Sequence, residues 1–246
     1  MVFAIHWVGV FFPKAPQWIM DFVYLGPQGV VVFFTLSAFS LSMSVETRSL
    51  TWRQYASRRF MRIAPPYYFC LVAALLVGRI SYWSAHFSTP FDLKSFVWHL
   101  TFTNWIDYRH TNNAIGVEWT LSVEVLFYLF LPLLLSASKN IFGCIILVGT
   151  AIALQRLQDP SLPVEAWQWS PAPFAVCFVI GVITWRIWQR FEIPSYAGWP
   201  TLAFVVAVLI VLKPHWGFEN GVTAWSVGAA LLILTGRSRA GVVVFG

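Results

Sequence analysis

One carboxylate lies in the middle of a long, predominantly apolar stretch of the sequence, Trp119–Leu135. Helical spacing places this residue, Glu124, on the same face as Thr120 and Tyr128. Ionisable side chains within a membrane span are costly, and they usually face a cavity or the interior of a helix bundle. Glu124 is therefore either a functional group or a group that only joins helices through hydrogen bonds.

A histidine, His6, lies within the apolar stretch at the N-terminus, FAIHWVGVFF. An imidazole can act as a general base near neutral pH without a large pKa shift. A lone histidine more commonly forms a structural hydrogen bond with a neighbouring helix. Three further histidines, His86, His99 and His110, are too widely spaced for a metal site, so no metal is predicted.

The stretch from Thr51 to Tyr68, TWRQYASRRFMRIAPPYY, is typical of a basic amphipathic helix. Thr51 and Gln54 match a capping box at its start, and Pro65 and Pro66 are predicted to end it. Its basic residues are Arg53, Arg58, Arg59 and Arg62. Two interpretations stay open: a membrane-surface helix whose arginines touch anionic lipid, or an anion site for a phosphorylated cytosolic cofactor.

Small polar residues recur in the preceding stretch, GVVVFFTLSAFSLSMS, where Ser37, Ser40 and Ser44 share one helical face. Small residues let helices approach closely, so this face is predicted mainly to pack against another helix. The three cysteines lie in apolar runs without disulfide or zinc-site spacing, and they are predicted to be packed thiols.

The composition indicates an integral membrane protein. Hydrophobic residues make up 58% of the 246 residues and charged residues only 11%, whereas a soluble domain carries about a quarter charged residues. The apolar runs predict an all-α, polytopic transmembrane helical bundle of about eight spans, the first one partial. We treat residues 1–246 as a single membrane-embedded domain, because no linker or internal repeat interrupts them. The predicted spans are Met1–Phe12, Phe22–Met43, Pro66–Ile80, Trp119–Leu135, Ile141–Leu154, Ala172–Trp188, Trp199–Leu212 and Val222–Thr235.

The positions of the basic residues predict how the spans are oriented. With the N-terminus in the cytoplasm, ten lysines and arginines fall on the cytoplasmic side and six on the outer side, which agrees with the positive-inside rule. Both ends of the sequence stop within apolar runs, so the chain is expected to be incomplete at its N- and C-termini. Nothing in the sequence indicates nucleic-acid binding.

Four blocks, in this order and spacing, resemble the acyltransferase-3 family of multi-pass membrane proteins. They are His6 near the end of the first span, GVVVFFTLSAF, RRFMRIAPPYY and EWTLSVEVLFYLFLP. The last two are the most specific, and they correspond to the family patterns R-x-x-R-I-x-P-x-Y and W-(S/T)-L-x-x-E-x-x-F-Y. The chain departs from the family at Ala38, where glycine is usual, and at an arginine that would precede Met1.

The resemblance implies a membrane-bound acyltransferase that moves an acyl group, usually acetyl, from cytosolic acyl-CoA to a hydroxyl group. The acceptor would be a carbohydrate of the cell envelope or a secreted one, such as lipopolysaccharide or another polysaccharide. It implies that acetyl-CoA or another acyl-CoA is a co-substrate, with no cofactor bound permanently. It also implies a bacterial inner membrane as the location, with membrane lipid as a partner.

The resemblance also assigns roles to individual residues. His6 would be the catalytic histidine, and Glu124 would orient an imidazole or a sugar hydroxyl within the bilayer. The residues that bind acyl-CoA would be Arg58, Arg59 and Arg62. A hydrogen bond to the tetrahedral oxyanion would come from one of three inner-face residues, namely Trp119, Tyr128 and Ser37.

Alternatives stay open at this point. His6 either acts as a general base or forms a covalent acyl-histidine intermediate. A transporter or flippase of a lipid-linked glycan would use Glu124 and His6 as proton-coupling groups, although such proteins often have inverted repeats and none is found here. A third alternative is an inactive fragment of the acyltransferase.

Overall fold

The computed structural model describes residues 26–77, 91–191 and 218–235, together with Pro16 and five single positions between 200 and 207. Among these residues it has nine α-helices with defined ends, two short 3-10 helices and no β-strand. The predicted all-α fold is therefore confirmed. The helices are α1 (Gly26–Thr47), α2 (Trp52–Leu76), α3 (Leu93–Thr101), α4 (Tyr108–Thr111), α5 (Trp119–Ala137), α6 (Ile141–Leu154), α7 (Val164–Gln168), α8 (Ala175–Arg190) and α9 (Phe218–Thr235).

Four of the described segments are long and apolar enough to cross a membrane, and they confirm a multi-pass membrane protein. They are Gln28–Thr47, Trp119–Ala137, Ala172–Arg190 and Phe218–Thr235. Each overlaps a predicted span, and the shorter α6 has the bounds predicted for it. The predicted first span, Met1–Phe12, and with it His6, lies outside the described residues.

Helix α2 begins as predicted but does not end where predicted. The Thr51 side chain accepts from the backbone of Gln54, and the Gln54 side chain accepts from the backbone of Thr51, which completes the capping box. The prediction that Pro65 and Pro66 end the helix is wrong, because α2 continues through both to Leu76. The segment predicted as a separate span is the second half of one helix.

Contacts made just after the two prolines explain why the helix continues. A proline inside a helix removes a backbone hydrogen bond and crowds the preceding turn. Here the Tyr67 hydroxyl lies 2.7 Å from Nδ1 of His99, and the Tyr68 hydroxyl donates to the carbonyl of Leu100 at 2.6 Å. These two bonds fasten the second half of α2 to α3, and they offset part of the cost of the missing helical bonds.

The chain divides into two compact units, and the first contains most of α1 and α8. Phe34 and Phe178 pack with their ring centres 5.1 Å apart. A Cβ atom at Gly181 would lie 2.5 Å from the carbonyl oxygen of Thr35 and 2.6 Å from Cβ of Ala38. Another helix therefore approaches α1 closely at Thr35 and Ala38, and not on the predicted face of Ser37, Ser40 and Ser44, which are all half-buried.

The second unit comprises Ser42–Ala137 and Gly149–Ala175, and it includes α2 and α5. Its core contains Ala64 and Tyr67 of α2 packed with Phe102 from the connection after α3. Most of the residues with predicted chemistry that the structure describes belong to this unit. The prediction of one domain over residues 1–246 stays a prediction.

Candidate functional site

An apolar cavity of about 160 Å³ lies between the first half of α2 and the middle of α5. The capping box sets where α2 begins, just before the first residue that lines the cavity, Trp52. Phe102 closes the cavity between the two helices. The lining residues are Trp52, Tyr55, Ala56, Arg59, Phe60, Ile63, Ala64, Phe102, Val125, Tyr128 and Leu129.

Two residues with predicted roles line this cavity, and a third, Glu124, is hydrogen-bonded to one of them. Arg59 and Tyr128 line it, and the guanidinium carbon of Arg59 lies 5.9 Å from the centre of the Tyr128 ring. The Tyr128 hydroxyl donates a hydrogen bond to the carboxylate of Glu124, one helical turn earlier on α5. The spacing that places Glu124 and Tyr128 on one helix face is thus confirmed as a direct contact.

Burial strengthens the electrostatic effect of the charged and polar groups beside the cavity. Glu124 is 5% exposed and Tyr128 is 8% exposed. Electrostatic interactions strengthen where water is excluded, so a buried carboxylate and a nearby guanidinium act strongly on a bound molecule. Arginine is also suited to lie over an aromatic face while its planar group contacts phosphate or carbonyl oxygens. The arrangement can bind a molecule that joins an apolar part to an anionic or strongly polar part.

The other predicted residues lie elsewhere. Arg58 and Arg62 are exposed on α2. Trp119 lies at the start of α5, where its ring packs 5.4 Å from that of Phe174. The helical rise separates it from Tyr128 by about 13 Å along the axis. The structure therefore brings together Arg59, Glu124 and Tyr128 but not Trp119, and Ser37 belongs to the first unit.

A polar segment, residues 91–118, packs beside the second half of α2 and leads into α5. It contains an unusual number of buried polar side chains. Ser95, His99, Asn104 and Asn113 are fully buried, and four others are at most 5% exposed. The four are His110, Thr111, Asn112 and Glu118. Buried polar groups are costly unless they are hydrogen-bonded, so the partners of these side chains decide the role of the segment.

A chain of hydrogen bonds joins four of these buried side chains to one another and to Tyr67 of α2. The Tyr67 hydroxyl lies 2.7 Å from His99 Nδ1, and His99 Nε2 lies 2.9 Å from the side-chain oxygen of Asn113. Asn113 donates to Ser95 Oγ at 3.2 Å, and Ser95 Oγ lies 2.6 Å from His110 Nδ1. With both imidazoles protonated on Nε2, each group donates to the next, and the whole chain is satisfied.

A second set of bonds fastens the segment to α5. The Ser122 hydroxyl donates to the side-chain oxygen of Asn104. The Asn104 amide donates to the Thr111 carbonyl at 2.7 Å, and the Thr111 hydroxyl donates to the Asn104 carbonyl at 2.9 Å. The polar segment is therefore held to both α2 and α5.

Glu118 organises the end of the polar segment, and the sequence analysis missed it. Its carboxylate accepts from four consecutive backbone N–H groups at 2.6 to 3.1 Å. These belong to Ala114, Ile115, Gly116 and Val117. Gly116 has a φ of 95°, which a residue with a side chain rarely adopts. A glycine two residues before an acidic residue at a helix start was the available signal, but it is a weak one.

Charged groups at the surface of the segment have shifted pKa values with clear causes. Hydrogen bonds from Arg109, whose guanidinium lies 2.7 Å from the Asp107 carboxylate, lower the pKa of Asp107. The backbone N–H of Ser95 lowers the pKa of Asp92. Burial lowers the pKa of His110, against the opposing effect of Asp107. Among the described residues no group of three or more His, Cys, Asp or Glu side chains is placed to hold a metal ion.

Comparison with protein families decides the relationship that the motifs suggested. The model of the acyltransferase-3 family, described as an acyltransferase domain, matches residues 1–241. The chain belongs to the acyltransferase-3 family. The enzyme class implied by the resemblance, an acyltransferase that moves groups other than amino-acyl groups, is the class of this family.

A curated relative supports the same relationship. This acyltransferase-3 chain is similar to Nodulation protein 10 of Rhizobium leguminosarum bv. viciae, with 25% identity over 211 residues. The match covers 76% of the chain and 56% of the relative, so the chain spans about half the length of that protein. No solved structure matches the acyltransferase-3 chain.

Proposed function

We propose that this protein transfers an acyl group from acyl-CoA to a hydroxyl group of a carbohydrate of the cell envelope or a secreted one. The observation that carries the proposal is an apolar cavity lined by Arg59 and Tyr128, with Glu124 hydrogen-bonded to the Tyr128 hydroxyl. An acyl-CoA combines a hydrocarbon chain and a polar thioester with anionic phosphates. The apolar lining suits the chain, and the arginines of α2 suit the anionic part.

The proposed reaction needs a base, a positioned donor and a stabilised oxyanion. His6 takes the proton of the acceptor hydroxyl as its oxygen attacks the thioester carbonyl. The new C–O bond forms, the C–S bond breaks, and the CoA thiolate leaves with the proton that His6 had taken. The products are an ester of the acceptor and free CoA.

Glu124 and Tyr128 have distinct roles in this scheme. The carboxylate of Glu124 fixes the direction of the Tyr128 hydroxyl, because it accepts the hydrogen bond from it. In this scheme the carboxylate also orients an imidazole or a sugar hydroxyl, for which it serves as a hydrogen-bond acceptor. Arg59 supplies positive charge where negative charge develops on the thioester oxygen.

The proposal includes a location. We place the protein in a bacterial inner membrane with its N-terminus in the cytoplasm, because the arginines before and within α2 then lie on the cytosolic side. Exposed Arg58 and Arg62 would meet the phosphates of a cytosolic donor there, together with Arg59. Acetyl-CoA is the first donor to test.

The test is acyl transfer in membranes from cells that express this chain, with acetyl-CoA labelled in the acetyl group. Label in envelope glycan that depends on His6, with no transfer in the His6→Ala variant, supports the proposal. The inserted amount of both proteins is compared by quantitative blotting of the membrane fraction. Absence of transfer with every acyl-CoA and glycan acceptor supplied, in a protein that is fully inserted, would overturn it.

A further inference from the structure

A second, smaller apolar cavity adjoins the first. It has a volume of about 90 Å³ and lies between Val45 near the end of α1 and Leu131 and Leu135 of α5. Trp52 and Tyr55 line both cavities. Their rings pack together with centres 5.4 Å apart, so the two aromatic side chains form the boundary between the cavities.

The sizes of the cavities limit what they can hold. The first, at about 160 Å³, is close to the ~150 Å³ of an apolar cavity that takes up benzene. The space between its walls therefore accommodates a short hydrocarbon chain, and a longer chain would have to extend past these walls. The two volumes together would hold a longer chain if the aromatic boundary were removed.

The charge in the wall of the first cavity indicates the kind of occupant. Arg59 lies in this wall among apolar side chains. A matching occupant combines a hydrocarbon part with an anionic or strongly polar part that the guanidinium can contact. The acyl chain of an acyl-CoA donor has this chemistry, so this argument rests on the function proposed above.

Tyr55 is the better placed of the two boundary residues to respond to an occupant. It is 3% exposed, and its buried hydroxyl has no hydrogen-bond partner among the described residues. An unsatisfied buried hydroxyl is costly and is rare in stable cores. A polar atom of a bound molecule would satisfy it.

We propose that Trp52 and Tyr55 determine the longest acyl chain that the enzyme accepts. In the native protein the chain occupies the first cavity, and the two rings stop it at the boundary. Removal of either ring joins the second cavity to the first and admits a longer chain. The specificity for donor length thus depends on the rings, whereas the hydroxyl of Tyr55 affects the binding of the polar part.

The experiment compares acyl-CoA donors from acetyl to dodecanoyl in membranes that contain the full chain. The measured quantity is the ratio of kcat/KM for octanoyl-CoA to that for acetyl-CoA. Trp52→Ala and Tyr55→Ala should each raise this ratio by about tenfold, the effect of burying roughly two more methylene groups. Tyr55→Phe retains the ring and should keep the wild-type ratio.

Two further variants keep the test decisive. Phe69→Ala removes an aromatic ring of α2 that is 75% exposed and lines neither cavity, and it should keep the wild-type ratio. Ala56→Leu fills the first cavity, so it should lower the ratio for hexanoyl-CoA to acetyl-CoA. This variant tests the inference even where loss of Trp52 or Tyr55 prevents folding.

The outcomes separate this inference from the proposed function. The inference alone is overturned if the wild-type protein transfers acyl groups and the kcat/KM ratios are unchanged in Trp52→Ala, Tyr55→Ala and Ala56→Leu. Bilayer lipid would then be the expected occupant of the cavities. Absence of transfer by the wild-type protein with every donor overturns the proposed function and the inference with it.

Discussion

The polar segment and the cavity between α2 and α5 differ in how their polar side chains are surrounded. In the polar segment, nearly every buried side chain has its partner within the segment or on the adjoining helix, as His99 does with Tyr67 and Asn113. The cavity has mostly apolar walls, in which Arg59 and the hydroxyl-bearing rings of Tyr55 and Tyr128 are the polar side chains that could contact another molecule.

This difference indicates which polar side chains stabilise the fold and which are candidates for binding a ligand. A fully satisfied network favours a single arrangement and has little capacity left to bind another molecule. A cavity with apolar walls and a few convergent polar groups is the usual form of a ligand site. The hydrogen bonds of the polar segment hold it to α2 and α5, whereas the cavity between these helices has the form expected of a ligand site.

The largest expected effect is on turnover, at Glu124. Glu124→Gln retains the shape of the side chain but removes the charge that accepts the Tyr128 hydrogen bond. We expect acyl transfer to fall by about 100-fold or more, in the range found for acid–base groups. The measurement is the transfer rate per inserted molecule. A rate equal to that of the wild-type protein would show Glu124 to be a structural group, like those of the polar segment.

The next effect is on stability, at Glu118. Glu118→Ala leaves four backbone N–H groups without their acceptor, two of them in the buried residues Ala114 and Gly116. We expect the free energy of unfolding to fall by about 3 kcal/mol, since each unsatisfied buried group costs about 1–3 kcal/mol. Thermal unfolding of the purified protein in detergent measures it.

The matched control for Glu118 is Glu165→Ala, which removes an exposed carboxylate of the same unit. It should leave the unfolding temperature unchanged, because exposed charges contribute little. The comparison would be contradicted if Glu118→Ala unfolded at the wild-type temperature. It would also be contradicted if the folded Glu118→Ala protein had lost turnover to the same degree as Glu124→Gln.

These two glutamates also show what a sequence can predict here. Glu124 was identifiable because its carboxylate interrupts an apolar helix, and the i, i+4 spacing predicted its contact with Tyr128. The start of α2 was predictable because a capping box is local. Each of these signals lies within a few residues of the sequence.

The features that were mispredicted or missed depend on contacts between distant parts of the sequence or on backbone conformation. The predicted stop at Pro65 and Pro66 was wrong because contacts of Tyr67 and Tyr68 with α3, 32 residues later, hold the helix together. Glu118 was missed because its role depends on the backbone conformation of the preceding turn. The cavity depends on how α2 and α5 pack, which the pattern of neither helix predicts.

The smallest expected effect is on how stability depends on pH, and it tests whether His110 contributes to the stability of the polar segment. Burial lowers the pKa of His110 below its ordinary value of 6.5, so the unfolded chain binds a proton there before the folded one does. Stability must then fall as pH decreases from about 6.5. The groups that face His110 are Asp107, Asp92, Lys94, Arg109 and the hydroxyl of Ser95.

A second decrease is expected in more acidic solution. Asp107 and Asp92 have pKa values below their ordinary 3.8, so the stability they contribute is complete above that value and is lost as pH falls through their folded pKa values. Thermal unfolding measured across this pH range should therefore show two steps. In His110→Gln the step that begins near the ordinary histidine pKa should disappear, while the acidic step remains. Persistence of the first step in His110→Gln would assign it to another group, and the polar segment would then not be its source.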